Sequence, residues 1–276
     1  MNIKHLLSRK NRFLTAGVML VGLLLTIAAA GNILAPNDPA KVSLADKNLP
    51  PNQKYPLGAD NLGRCILSRI LDGAKSSLGV AFVAVGISVT LGTCIGIISG
   101  YAGGMVDALI MRITDMFLSF PSTILALTIL AIAGPGFVNV VFSLSVVGWT
   151  HMARLTRGVT LAVKDSEIIQ AGRAIGNNAP RILANYMLPQ IAPKVMALIP
   201  IDISKTIMAS AALSFLGLGI QPPMAEWGSM LNEGRQFIRS APHEIIFPSL
   251  SLFLASFSFN ILGEGIRIKI NPYIAK

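Results

Sequence analysis

Few side chains in this sequence have a type and spacing suited to chemistry. Asp202 and Lys205 lie three residues apart inside an apolar run, so a helix would put them on one face. His151 closes another apolar run beside Met152, and Met208 follows Lys205 by one more turn. Acid–base or nucleophilic catalysis needs several titratable groups converging on one point. Within the apolar runs that set reduces to Asp202, Lys205 and His151, which is thin for an enzyme. Imidazole, thioether and carboxylate groups suit nickel-like ions, but His151, Met152 and Met208 are scattered, and no metal site is expected. Charges inside an apolar run are costly unless they are paired or face water. Asp202 and Lys205 are therefore either an internal ion pair that neutralises itself or part of a polar path through the run. Cys65 sits in a polar stretch and Cys94 in an apolar one, so no disulfide is expected. No G-x-x-x-x-G-K-[ST] sequence occurs, so any ATP would be bound by another subunit.

The elements that hold these residues are membrane spans. The chain has 276 residues, of which 53% are hydrophobic and only 13% charged, against about a quarter charged in soluble domains. Its mean hydropathy is +0.63. The net charge of +10 is not gathered into one patch, so nucleic-acid binding is not expected. Basic residues instead flank apolar runs, as orientation in a bilayer requires. The pattern predicts an all-α integral membrane protein with six transmembrane helices and both termini in the cytoplasm. The first span follows Lys4, Arg9, Lys10 and Arg12; Phe13 to Asn37 is longer than a signal-peptide core and is expected to be retained. Pro36 to about Gly73 is expected as an external loop. A second span lies between Lys75 and Asp107, with Gly92, Gly96 and Gly100 forming a small-residue stripe for close helix approach. A third runs from Asp107 to Ala133, with Arg112 and Asp115 paired at its cytoplasmic entry. Gly134-Pro135-Gly136 turns the chain outside, and a fourth span ends near Arg154 and Arg157. A fifth covers about Ile191 to Leu216. Gly217 to His243 is external, with Trp227, Met230, Leu231 and Phe237 at an interface. The sixth covers Glu244 to Gly263, and Arg267, Lys269 and Lys276 end the chain inside.

Lys164 to Lys194 is the longest charged, helix-patterned segment between apolar ones. Ile168, Ala171 or Gly172, and Ile175 fall at helical spacing. Gly176 is placed to end that helix in a left-handed conformation. Asn177 or Asn178 can cap a second helix, with Pro180 in its first turn. Leu188-Pro189 closes the unit. Two short amphipathic helices at the membrane surface suit either a soluble partner or the lipid headgroups.

Gln170-Ala171-Gly172, then Gly176, then Leu188-Pro189 resembles the "EAA" loop of the permeases of binding-protein-dependent ABC importers. Gln170 stands where that pattern has Glu, and Gly172 where it has Ala. Three more stretches resemble the dipeptide, oligopeptide and nickel branch. They are Leu57-Gly58-Ala59-Asp60-Asn61-Leu62-Gly63-Arg64 with Ser68-Arg69; Ser214 to Gly219 with Gln221-Pro222-Pro223, Glu226-Trp227-Gly228 and Glu233-Gly234-Arg235; and Phe259 to Arg267. Ala59 and Cys65 depart from the branch pattern. The resemblance covers about residues 57–272 and is to the second, "C" permease of a pair.

It implies a type I ABC importer permease fold in the bacterial cytoplasmic membrane. The expected divisions are 1–73, a first span with external loop; 74–268, the permease domain; 164–194, the coupling loop within it; and 269–276, a tail. Ile168, Gln170, Ala171, Gly172, Ile175, Gly176, Leu188 and Pro189 would engage an ATPase, and His151, Asp202, Lys205 and Met208 would border the translocation path. The implied partners are a second permease, two ATPase subunits that use the ATP, an extracytoplasmic binding protein and the lipid bilayer. This chain would carry no cofactor or catalytic residue of its own. The cargo would be small peptides or nickel, free or chelated; the short N-terminal region and the Asp202/Lys205 pair resemble nickel-type members more than the larger peptide permeases. A passive channel or a membrane-embedded enzyme is the competing class.

Overall fold

The computed structural model describes residues 3–270, with side chains from Arg12 onward, Asn32 excepted. Lys276, expected inside with the tail, lies outside the described residues. Eleven α-helices and no strand are present among the described residues. They are α1 (Ile3–Leu34), α2 (Ile66–Ala102), α3 (Gly104–Leu118), α4 (Ser122–Ala133), α5 (Phe137–Val163), α6 (Glu167–Ala174), α7 (Ala179–Ile182), α8 (Leu188–Met196), α9 (Ile199–Phe215), α10 (Trp227–Gly234) and α11 (His243–Ile270).

α2 is the spine. Its 37 residues span about 55 Å at 1.5 Å per residue, and its most extensive neighbour is α5. The glycine stripe is the reason. A Cβ at Gly92 would lie 2.7 Å from the Trp149 carbonyl oxygen, and one at Gly96 2.5 Å from that of Ala153. Only hydrogen fits between these backbones, as the stripe predicts. On the other side of the bundle α1 packs along α11 and α2. A Cβ at Gly17 would meet the Leu262 backbone, and one at Gly31 the Leu71 carbonyl. The main core joins α1, α2, α9, α10 and α11 through Val21, Leu78, Ile207, Trp227 and Phe259.

α1, α2 and α11 are each long and apolar enough to cross a membrane, and two bent pairs, α3 with α4 and Ala179–Met196 with α9, pass together, giving up to five candidate spans. α5 has 27 residues but carries Asn139, His151, Arg154 and Arg157, and it is not among the five. The expected third span is therefore two half-helices at 82°. Pro121 follows the break at Ser119-Phe120 and cannot continue the α3 ladder. The expected fifth span is likewise broken, with a 50° bend at Ala197-Leu198 next to Pro200. The Gly134-Pro135-Gly136 turn stands as expected, with φ of 85° and 137° at its glycines.

Three further expectations need correction. α2 begins at Ile66 rather than near Lys75, because Ser68 and Arg69 are fully buried and bonded inside the protein, so their polarity does not mark a loop. Trp227 and Met230 are only 2% and 5% exposed; α10 turns its apolar face into the core, and the Trp227 Nε1 donates to the Ile70 carbonyl at 3.0 Å. Arg112 does not hold Asp115. Asp115 pairs with Arg154 of α5, and Asp107 with Arg157 and Ser99, so α3 is clamped to α5 and α2 rather than to itself.

Candidate functional site

Between α2, α4, α5 and α9 lies a cavity of about 560 Å³. Its wall is mostly apolar, with Ser88, Ser122, Thr123, His151, Asp202, Lys205 and Thr206 as the polar positions. The two readings of the charged pair meet here. The Lys205 Nζ is 3.7 Å from the Asp202 Oδ1, and both residues border the cavity. The lysine side chain is 67% exposed and the aspartate 22%, so the cation is the more accessible of the two. His151 borders the same space from α5. Met208 does not; it is 49% exposed on α9. Among the described residues no group of three or more His, Cys, Asp or Glu is placed to hold a metal. Cys65 and Cys94 are both free thiols.

The segment from Ser166 to Met196 forms a knuckle on α5 and α9. α6 has two faces. Ile169 is fully buried with Met187 and Ile191, while Ile168 and Ile175 are 57% and 73% exposed and Ala171 and Gln170 are exposed beside them. Gly172 belongs to the inner face, where a Cβ would touch the Tyr186 ring at 3.4 Å. The spacing thus located the helix, but it was Ile169, absent from the expected set, that anchors it. Gly176 takes φ 81° and closes the helix through its N–H to the Arg173 carbonyl. Asn178 is the cap of α7, accepting from the Arg181 N–H at 3.2 Å. Asn177 ties the turn instead, donating to the Gly172 carbonyl and the Tyr186 hydroxyl, both at 3.1 Å. Before Leu188-Pro189 the chain widens into a π turn over Leu183–Met187. Pro189 has no N–H for the carbonyl four residues back, which favours that widening. The amide of Gln170 donates to the Asp165 carbonyl at 3.0 Å, a bond a glutamate could not make.

Two contacts connect the knuckle region to the spine. The Arg173 guanidinium lies 5.4 Å from the Tyr101 ring centroid at the end of α2. The Asp107–Arg157–Ser99 clamp joins α2, α3 and α5 just beside it.

At the opposite end, residues quoted for the branch resemblance converge. Arg64 bonds Asp60 and Glu233, each at 2.7 Å, and Arg69 bonds Glu233 at 3.0 Å. Asp60, Arg64 and Arg69 are nearly inaccessible, so this is a clasp that fixes the loop between α1 and α2 over α10. Glu226 caps α10, accepting from the Ser229 N–H at 2.8 Å; burial raises its carboxyl above the ordinary value, partly offset by hydrogen bonds from Gly228, Ser229 and Ser77. The motif spacing was the available signal for the clasp; it did not tell that residues about 170 apart would pair.

Comparison with known proteins follows this geometry. The family described as "Binding-protein-dependent transport system inner membrane component" matches residues 92–275. The glutathione transport system permease protein GsiD of Pectobacterium atrosepticum is 40% identical over 265 residues, covering 96% of this chain and 88% of that protein. The dipeptide transport system permease protein DppC of Alkalihalophilus pseudofirmus is 36% identical, with 96% and 87% covered. The nickel transport system permease protein NikC of Escherichia coli is 33% identical, with 93% of each covered. The fold is also that of a chain in the inward-facing MetNI methionine ABC transporter, at a TM-score of 0.56 and 18% identity over 72% of this chain and 96% of that one. With its apolar helices, cavity and exposed knuckle, the chain belongs to the family of inner-membrane permease components of binding-protein-dependent ABC importers, which are transport subunits rather than enzymes.

Proposed function

We propose that this chain forms half of an alternating-access pore that admits small peptides, driven by ATPase subunits seated on its knuckle. α5 serves as the sixth crossing segment, and both termini and the knuckle are cytoplasmic. A second permease completes the pore on the open side of the cavity, and an extracytoplasmic binding protein delivers the cargo. The observation that carries the cargo assignment is the paired Asp202 and Lys205 at the cavity wall. A peptide has one terminus of each sign, and a wall with one anion and one cation can hold both. A bare divalent ion would be repelled by the more exposed lysine. The glutathione and dipeptide relatives support the same reading. Nickel is the second reading, favoured by a relative matched over 93% of its length.

The outer face of α6, with Ile168, Ala171 and Ile175, fits a groove on an ATPase. Gln170 and Gly176 set its edge and turn, and Leu188 and Pro189 begin the arm that leads through α8 into α9. Closure of the ATPases would move this arm and with it the charged wall of α9. The test is the whole importer reconstituted in lipid, with ATPase activity measured as the binding protein is loaded with short peptides or with nickel. Stimulation by peptides supports the reading; stimulation by nickel alone transfers it to the metal.

A further inference from the structure

α3 buries little of itself; Thr114 is its only buried residue. The Phe117 ring meets Trp149 of α5 edge-on, with centroids 5.8 Å apart. Two ion pairs also cross the seam between α3 and α5, and they differ in kind. Arg157 grips Asp107 with both Nε and Nη2, one to each carboxylate oxygen, and the Ser99 hydroxyl of α2 donates to the same carboxylate. These arginine and aspartate side chains are 31% and 15% exposed. A bidentate pair backed by a third helix is a fixture. About two turns further along α3, Asp115 meets Arg154 through one Nη2 alone. Here the aspartate and arginine side chains are 59% and 53% exposed. An exposed pair with a single contact costs little to open.

The weaker pair is the one beside the cavity. Leu118 stands one turn beyond Asp115 on α3, His151 stands one turn before Arg154 on α5, and both line the cavity wall. In the other direction α5 runs into the knuckle, with only Lys164-Asp165-Ser166 between it and α6. Arg154 therefore sits on a helix that joins the knuckle to this wall. Asp115 also has a second cation within reach on its own helix. Arg112 lies three residues before it, is exposed, and makes no ion pair among the described residues. Helical spacing lets Arg112 take Asp115 when Arg154 leaves, so the carboxylate is not stranded in an apolar layer. A pair that only neutralised charge would need no spare.

We propose that Asp115 and Arg154 are positioning residues for transport: their pair latches the α3–α5 seam in its resting arrangement, and closure of the ATPases, acting through the knuckle and α5, passes Asp115 to Arg112 and frees the cavity wall to change shape. The proposal rests on the importer reading above. It is tested with the complete importer in proteoliposomes. The basal ATPase rate, the rate with binding protein loaded with dipeptides or with nickel ions, and uptake per ATP are measured. D115N/R154Q removes both partners together, so a merely neutralising pair would tolerate it. Loss of a latch should instead raise the basal rate about two- to fivefold, the scale of one exposed ion pair. It should also lower uptake per ATP, with the melting temperature of the assembly unchanged. R154K, which keeps the cation, should stay near the wild-type basal rate. R112Q should act in the opposite direction, with a basal rate no higher than wild type and a stimulated rate about two- to fivefold lower, because release has lost its acceptor. A wild-type basal rate and uptake per ATP in D115N/R154Q would overturn the latch. So would a raised basal rate that comes with a lower melting temperature and is shared by R154K, since the pair would then be structural; either result leaves the importer reading intact. Wild type that its binding protein does not stimulate with either cargo would overturn the importer reading, and the latch with it.

Discussion

At Gly176 the φ of 81° makes a prediction about one hydrogen atom. A β-branched side chain there is strained by about 1–2 kcal/mol or more, and the knuckle turn reopens. Gly176→Val should hydrolyse ATP without transport, measured as uptake per ATP in proteoliposomes. Gly172 behaves differently. A Cβ there makes ordinary contact with Tyr186, so Gly172→Ala should keep full coupling and raise stability by up to about 1 kcal/mol through helix propensity, read as a higher melting temperature. At the cavity, exchanging the identities of Asp202 and Lys205 preserves an ion pair but inverts the wall. The path role predicts normal assembly and uptake reduced about tenfold or more; unchanged uptake would leave the pair merely structural. Glu226 gives a pH signature. Its folded-state carboxyl is raised by burial above the ordinary 4.5, so the fold prefers it neutral. Its contribution is complete below about 4.5 and declines as pH rises through the raised value. Wild type should melt progressively lower across that window, and Glu226→Gln, which stays neutral, should show a weaker trend.

The helices show what a sequence can and cannot disclose. Periodic glycines on α2 announced a close partner, and α5 fills that place because backbone contact leaves no alternative. Gly176, and a cap at Asn177 or Asn178, were legible because helix ends have local chemistry; which asparagine caps was not. The breaks at Phe120-Pro121 and Ala197-Leu198 were not, since apolar composition continues through them and only the backbone bends. Nor was the burial of Trp227, because an amphipathic segment near an apolar run can face lipid or core with the same pattern. The Asp115–Arg154 pair was missed in favour of Arg112 because local spacing shows neighbours in sequence and never neighbours in space. These connections make element-scale predictions. Gly96→Leu should separate α2 from α5 and destabilise the bundle by about 1–3 kcal/mol or more, seen as poor recovery of folded protein. Tyr101→Ala should weaken the tie between the knuckle and α2 and lower uptake per ATP, while Tyr101→Phe, which keeps the ring face under Arg173, should restore it.

For the molecule as a whole, the charged wall and the knuckle lie along one stretch of chain, from α6 through α8 to α9, which bends by 50° at Ala197-Leu198. On the proposed reading, events at a surface patch of α6 reach Asp202 and Lys205 along this stretch. The central claim is that this patch is the seat of a cytoplasmic ATPase. It is tested most directly by placing a photo-crosslinking residue at Ile175, 73% exposed in the isolated chain, within the assembled importer. The account predicts a crosslink to an ATPase subunit whose yield changes with bound nucleotide. Crosslinking only to lipid, or to the extracytoplasmic binding protein, would contradict it.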